Sequence, residues 1–481
     1  MAESLKKQAT KGVFWSTVER LSVQGVQFLV LLIMARMVSP REYGLLAMVA
    51  IFSEIAQTLI DSGFSQALIR KQNRTEVDNN TVFYFNIGVG LFLYLICFVC
   101  APFVADFYHE PELVNVMRVI CIGMIINSLQ VVQRADYIIR LDFKTQAKAS
   151  TTAAIVSGVI GIALAYLKFG VWALVAQQLL NIFLNAALLW WYSKWRPRLM
   201  YSWKSFHELF SFGWKLLVSG LLNTIWHNIT KLVVGKAFSA KSLGQYSRAS
   251  HFAAFPSSNL TSILQRVTYP VLCKIQDDDE KLASAYRRIL KVSAFVIFPL
   301  MVLLSAVSVP LVVVLIGEKW LFCAMILQVV CFSKMWYPIH AINLNLLQVK
   351  GRSDLFLRLE IIKKIIGVIM ICITIPMGLM ALCYGQIIVS IINLMINTFY
   401  TGKLIHVGFF RQMMDLLPTL LICACMFGVV KIECFFISNL YIQLILSLLT
   451  GTVVHIGLSR LFKFEELKEL KSLINNRRKK S

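Results

Sequence analysis

Residues Phe210 to Lys236 read FSFGWKLLVSGLLNTIWHNITKLVVGK. The stretch is long and apolar enough for a bilayer crossing, which takes about 20 residues. Yet Lys215, Ser219, Asn223, His227 and Lys231 recur at every fourth position within it. In an α-helix that spacing aligns them on one slowly drifting stripe. A charge facing lipid near the bilayer centre costs at least ~2.5–3.5 kcal/mol. The stripe is therefore expected to face a protein interior or a water-filled cavity where something polar passes or binds. In the alternative reading Lys215 snorkels near one end, while His227 and Lys231 tie neighbouring helices together.

The rest of the chain fits a membrane setting. Of its 481 residues 58% are hydrophobic and only 15% charged, and the mean hydropathy is +0.69. Soluble domains do not reach such values. No segment pairs a short apolar core with a small-residue cleavage site, so the first apolar stretch is expected to stay as a helix. The eleven cysteines are scattered through apolar runs. Cys97 and Cys100 form a CxxC without His or acidic partners, so they read as small hydrophobes and no metal site is expected. A net charge of +23 would point to nucleic acid in a soluble protein; here its placement along the chain argues against that partner.

Apolar runs of spanning length recur throughout. Fourteen are placed near 12–37, 43–69, 79–105, 113–133, 149–167, 171–193, 208–236, 244–270, 292–316, 320–347, 358–375, 379–402, 413–430 and 437–459. Successive loops then alternate sides. Of the 48 Lys and Arg, 32 fall on the side of the N-terminus, counting Arg358 at the mouth of its span, and only Arg41, Lys168, Lys241, Lys319 and Lys431 fall opposite. By the positive-inside rule both termini are cytoplasmic. The opposite loops are short and leave no room for an external catalytic domain.

Two turns two hundred residues apart resemble each other. Ser39-Pro40-Arg41-Glu42-Tyr43-Gly44 joins the first two spans, and Ser239-Ala240-Lys241-Ser242-Leu243-Gly244 joins the seventh and eighth. Six spans separate them, and an even number preserves orientation, so the halves read as parallel repeats. The polar residues repeat as well. The first span carries Ser16, Arg20, Gln24 and Gln27; the second carries Glu54, Gln57, Asp61 and Ser65; the eighth carries Arg248, His251, Ser258, Ser262 and Arg266. The expected fold is all-α and polytopic, with about fourteen transmembrane helices. Lobes at 1–200 and 201–402 enclose a central cavity, a further helix pair covers 403–460, and a basic amphipathic tail covers 461–481.

Later polar residues, including Asn343, Asn345, Gln348, Asn393 and Asn397, are expected to make interhelical hydrogen bonds. The run Asp277-Asp278-Asp279-Glu280 reads as a solvated loop. Asp61 is left open between a functional carboxylate and a helix cap.

Several local sequences carry a resemblance. They are Asp61-Ser62-Gly63-Phe64-Ser65-Gln66-Ala67-Leu68-Ile69, the run Gly170-Val171-Trp172-Ala173-Leu174-Val175-Ala176-Gln177-Gln178, Arg196-Pro197-Arg198, Gly244-Gln245-Tyr246-Ser247-Arg248-Ala249, and Gly317-Glu318-Lys319-Trp320. Together, in consistent order from about residue 5 to 400, they resemble the Wzx-type polysaccharide flippases. The nearest branch is the WzxC-like exporters of the multidrug/oligosaccharidyl-lipid/polysaccharide superfamily.

That resemblance implies two six-helix lobes, a bacterial inner-membrane location and transfer of undecaprenyl-diphosphate-linked oligosaccharide to the periplasmic leaflet. On this reading Arg20, Lys215, His227, Lys231, Arg248, His251 and Arg266 are candidates to hold the diphosphate. Gln24, Gln27, Gln57, Ser219 and Asn223 line the cavity. Glu54 and Asp61 either pair with basic residues such as Arg20 or Lys215 in the empty site or bind a driving proton or Na⁺. No cofactor is implied, and no Gly-Lys-Ser/Thr phosphate loop points to direct ATP use. Lipid bilayer and polysaccharide polymerase or export machinery are the other expected partners.

Three other readings compete. A cation/drug antiporter of the same superfamily calls for acidic lining, the opposite sign from the C-terminal basic set. A membrane polymerase or glycosyltransferase needs carboxylates or a basic site at the surface. A scaffold leaves the buried stripe without a reason.

Overall fold

The computed structural model describes residues 2–61 and 63–469; at 2–14, 16–18, 20, 21, 266 and 267 it describes the backbone alone. The Arg20 and Arg266 side chains and the basic run at 477–480 therefore lie outside the described residues.

The chain is helical, and its contacts divide it into two compact units, Met1–Gly244 and Gln245–Ser481. The first unit contains α1 (Ala2–Met37), α2 (Pro40–Asp61), α3 (Phe64–Arg70), α4 (Glu76–Tyr108), α5 (Leu113–Ile120), α6 (Ile122–Ser128), α7 (Val131–Ile139), α8 (Phe143–Tyr166), α9 (Val171–Tyr192) and α10 (Trp203–Ala237). After the start of α11 (Ala240–Cys273), the second unit continues through α12 (Asp279–Ala306), α13 (Ser308–Ile316), α14 (Leu321–Lys334), α15 (Tyr337–Val349), α16 (Ser353–Thr374), α17 (Leu379–Ile405), α18 (Phe409–Phe436) and α19 (Leu440–Leu461).

With α2–α3, α5–α7, α12–α13 and α14–α15 each taken as one interrupted crossing, the described residues form fourteen helical segments at the expected places. Nine among them are long and apolar enough to span, or ten if the pair bent by 42° at residues 128–131 counts as one. Neither α10 nor α11 is among those nine. These are two of the helices whose polar residues were singled out from sequence, and that polarity lowers their hydropathy.

Several boundaries differ from the sequence reading, three of them with consequences for the charged residues. The fourth crossing breaks twice and continues to Ile139, so Arg134, counted there as a loop residue, belongs to a helix. The second crossing divides into α2, ending at Asp61, and α3, starting at Phe64, with Gly63 before it at φ +70°. The ninth starts at Asp279, and Asp278 caps it by accepting from Lys281 N. The acidic run 277–280 is thus a helix start, where carboxylates offset the positive end of the helix dipole.

Apolar side chains cover the outside. Phe92, Leu95, Val99 and Phe103 on α4, and Ile445, Leu449 and Val453 on α19, are all exposed. Polar side chains are sealed within, among them Asn80, Asn86, Gln130, Gln133, Asn228, Asn343 and Gln412. A surrounding hydrocarbon solvent accounts for this inversion, because helices satisfy their own backbone and polar groups gain only by meeting one another. The protein is an all-α polytopic membrane protein.

In the second unit, Asn343 and Gln412 join α15 to α18 through two amide hydrogen bonds of 3.2 Å. The Thr401 hydroxyl is 3.1 Å from Gln412 Nε2. His340 lies between Ser390 (3.0 Å) and Asn397 (3.3 Å). The expected interhelical roles of Asn343 and Asn397 are met; Asn345 Nδ2 and Asn393 Oδ1 have no hydrogen-bond partner among the described residues.

Candidate functional site

The site is organised by the way α10 lies along α2 and α3. Its start is fixed in an aromatic cluster, where Phe206 stacks on Phe210 at 5.4 Å and both approach Phe64 of α3. Ser202 caps α10 by accepting from Ser205 N. The preceding linker is held by the buried side chains of α4: Asn80 Oδ1 accepts from Arg198 N at 2.6 Å and Thr81 Oγ1 from Ser202 N at 3.1 Å.

From that anchor a seam of small and polar residues runs along α10. A Cβ on Gly63 would come within 2.5 Å of the Gly213 carbonyl oxygen, and one on Gly220 would meet Thr58 at 3.1 Å. Thr58 and Thr224 hydroxyls lie 2.9 Å apart. Asn228 Nδ2 donates to Glu54 Oε2 at 2.6 Å and to the Thr224 carbonyl at 3.0 Å, while its Oδ1 accepts from Lys231 Nζ at 2.9 Å. Lys231 Nζ is also 3.9 Å from Glu54 Oε1. At the other end Lys71 Nζ bridges Asp78 (3.0 Å) and Glu208 (2.9 Å). Burial opposes the Lys71 charge, but its hydrogen bonds to Glu208 and Asp78 outweigh that and raise its pKa above the ordinary value.

The five stripe residues separate accordingly. Lys215, Ser219, Asn223 and His227 are exposed, whereas Lys231 is half-buried and faces the seam. The drift of a four-residue repeat around a 3.6-residue helix produces this divergence. Lys231 is where the exposed stripe and the packed seam meet.

A second charged group lies at the C-terminal end of α2. Asp61 Oδ1 accepts from Gln57 Nε2 at 3.1 Å. Among the described residues it makes no capping hydrogen bond, and the N-cap of α3 is Gly63, without a side-chain hydrogen bond. The Arg134 guanidinium on α7 feels the charges of both Asp61 and Glu19. Glu19 Oε1 accepts from Ser150 Oγ at 3.3 Å. Gln57 is half-buried, Gln24 is half-buried with Oε1 unpartnered among the described residues, and Gln27 is exposed.

Of the predicted set, Glu54 and Lys231 are brought together directly and Gln57 with Asp61. Arg248, half-buried, and His251, exposed, lie on α11 in the second unit. Asn228, Thr58, Thr224, Glu19 and Arg134 were not predicted. Asn228 and Thr224 carry a sequence signal: Gly213, Gly220, Thr224, Asn228, Lys231 and Gly235 follow the heptad-like spacing of a close helix seam.

The two repeated turns meet in the first unit. A Cβ on Gly44 would fall 1.7 Å from the Ala240 carbonyl oxygen, and one on Gly244 would fall 1.9 Å from that of Pro40. The contact is reciprocal, as two copies of one motif facing each other require. Only glycine permits that approach.

Fold and site define a polytopic helical membrane protein with a charged seam beside an exposed basic stripe. A family model described as "Polysaccharide biosynthesis protein" matches residues 33–326, and the chain belongs to that family. The teichuronic acid biosynthesis protein TuaB of Bacillus subtilis is 26% identical over 95% of this chain and 96% of its own length. The lipopolysaccharide biosynthesis protein WzxC of Escherichia coli is 26% identical over 85% of this chain and 84% of its own. The resemblance to WzxC-like exporters read from local motifs thus extends over most of the chain.

Among solved structures, the lipid II flippase MurJ in an inward closed conformation shares the fold. Its TM-score is 0.74 at 16% identity, covering 94% of this chain and 98% of that one. A multidrug resistance MATE family transporter of the MOP superfamily matches at 0.59, covering 81% and 98%.

Proposed function

We propose that this protein is a flippase that carries an undecaprenyl-diphosphate-linked oligosaccharide across the bacterial inner membrane by alternating access. The product feeds a surface polysaccharide such as lipopolysaccharide, capsule or exopolysaccharide. The observation that carries the proposal is the exposed polar stripe of α10, with Lys215, His227 and Lys231 along one helix, in a chain whose relatives are polysaccharide biosynthesis proteins over most of their length.

Such a substrate has an anionic diphosphate, a polar glycan and a long apolar tail. Basic groups spaced along a helix give the diphosphate successive positions through the bilayer, while the tail stays in lipid. In this proposal two six-helix lobes, 1–200 and 201–402, rock about the substrate, and both termini face the cytoplasm. Arg20, Lys215 and Arg266 serve the inner half, and Lys231, Arg248 and His251 the outer. The protein performs transport and no covalent chemistry, driven by a proton or Na⁺ gradient and delivering to the polymerase or export machinery.

The test is a leaflet assay in cells lacking the protein. Lipid-linked repeat units should accumulate on the cytoplasmic face, with wild type but not Lys231→Ala restoring transfer. Single repeat units accumulating outside would indicate a polymerase instead, and normal delivery would remove the flippase reading.

A further inference from the structure

The ammonium of Lys231 is held from one side. Its partners, Asn228 Oδ1 at 2.9 Å and Glu54 Oε1 at 3.9 Å, both belong to the packed seam. Its other side continues the exposed stripe, with His227 one turn away and Asn223 the turn beyond. About a third of the Lys231 side chain and half of Glu54 are open, whereas Asn228 is sealed at 1% exposure. An anion moving along the stripe therefore meets an ammonium already shared with a carboxylate. The other charged staple, Lys71 with Glu208, lies about 35 Å away along α10, beyond the end of the stripe.

Resting on the function proposed above, we infer that Glu54 and Asn228 are positioning residues that couple anion binding to the parting of α10 from α2. When a diphosphate takes Lys231, Glu54 loses its counter-charge and Asn228 Oδ1 loses its donor. The bound anion also repels the Glu54 carboxylate across a gap of a few ångströms. This end of the seam weakens while its remaining contacts, the Thr58–Thr224 hydroxyl pair and the glycine crossings, are neutral. A ligand moves a conformational equilibrium only through its difference in affinity for the two states. Competition of two anions for one ammonium supplies that difference, and it gives Glu54 a role without any contact to substrate.

The test uses the full-length protein in detergent with Thr58→Cys and Thr224→Cys introduced, since the two hydroxyls are 2.9 Å apart. The rate of the 58–224 disulfide is read by peptide mass spectrometry, which distinguishes it from bonds among the eleven native cysteines. Inorganic pyrophosphate is the probe, and its binding is followed in parallel by calorimetry. Saturating pyrophosphate should slow the cross-link about fivefold, at the low end of ordinary coupling between sites. Glu54→Gln should form the bond more slowly without ligand and respond less than about twofold; Glu54→Asp should retain the response. Pyrophosphate that binds yet leaves the rate unchanged overturns the coupling, as does a full response in Glu54→Gln. Pyrophosphate that does not bind overturns the anion site itself, and with it both this inference and the functional reading.

Discussion

Replacing Asn228 by leucine tests whether the seam is held by its hydrogen bonds or by its shape. The amide makes three bonds, to Glu54 at 2.6 Å, to the Thr224 carbonyl at 3.0 Å and from Lys231 at 2.9 Å. Bonds to charged groups are worth about 1.5–3 kcal/mol and neutral ones about 0.5–1.5. The full sum overstates the loss, because the half-open Glu54 and third-open Lys231 recover solvation once released. A net destabilisation of about 2–3 kcal/mol is expected. The triple replacement Glu54→Met, Asn228→Leu, Lys231→Met removes every side-chain partner at once and leaves no uncompensated charge, so it should lie within about 1 kcal/mol of wild type. Denaturant titration in detergent, followed by tryptophan fluorescence, gives both values, and the leaflet assay is run on the same proteins. The triple variant should be stable and inactive. A triple variant as unstable as Asn228→Leu would refute the reasoning, because leucine would then be failing to fit rather than failing to bond.

Gly44→Ala would place a methyl 1.7 Å from the Ala240 carbonyl oxygen; the turns must separate, and the variant should be recovered at a small fraction of the wild-type yield on size-exclusion chromatography. Lys71→Ala should lower stability by about 1–3 kcal/mol because it leaves the buried Asp78 uncompensated, whereas Glu208→Gln, at an exposed carboxylate, should cost under about 1 kcal/mol; the same titration separates them. The Lys71 contribution has a definite pH sign. Its pKa is raised above the ordinary 10.5, so the stabilisation is fully present below that value and is lost as pH rises through the raised one. Between pH 7 and 9 the gap in stability between wild type and Lys71→Ala should stay constant, and it should narrow above about 10.5. Lys215→Ala, at an exposed position away from the seam, should slow transfer of lipid-linked sugar while leaving the denaturation midpoint unchanged; wild-type transfer would remove Lys215 from the path.

The order of the helices is legible in the sequence because the bilayer imposes a length and an apolar content on each crossing. The breaks are not, because an interruption such as the one at Ile120-Cys121-Ile122 stays apolar and leaves the run continuous. Arg134 was misplaced for that reason: a basic residue just past an apolar run reads as loop when the helix in fact turns and continues. The stripe on α10 was legible as a pattern, but a four-residue repeat does not say which members face a neighbouring helix. Asn228 adjoins the stripe member His227 in sequence, yet it bonds Glu54, 174 positions away in the chain. Only the partner helix reveals that pairing.

The two glycine approaches explain why polar groups on α10 and α2 can bond at all. Side-chain amides and hydroxyls are short, so helices must come closer than bulky side chains allow before such groups meet. Gly63 against Gly213 and Gly220 against Thr58 provide that closeness on one side of the polar rungs. On the other side Gly235 packs against Tyr108 and Met48. The bonded groups between them, Thr58–Thr224 and Glu54–Asn228–Lys231, thus sit on a stretch bounded by small residues. Without hydrophobic drive from the lipid, packing and hydrogen bonds alone hold the stretch closed. Such a contact is strong while its polar groups are matched and weak once one of them is drawn away. That asymmetry makes a charge-bearing seam a place where an anionic substrate can act on the helices that carry it.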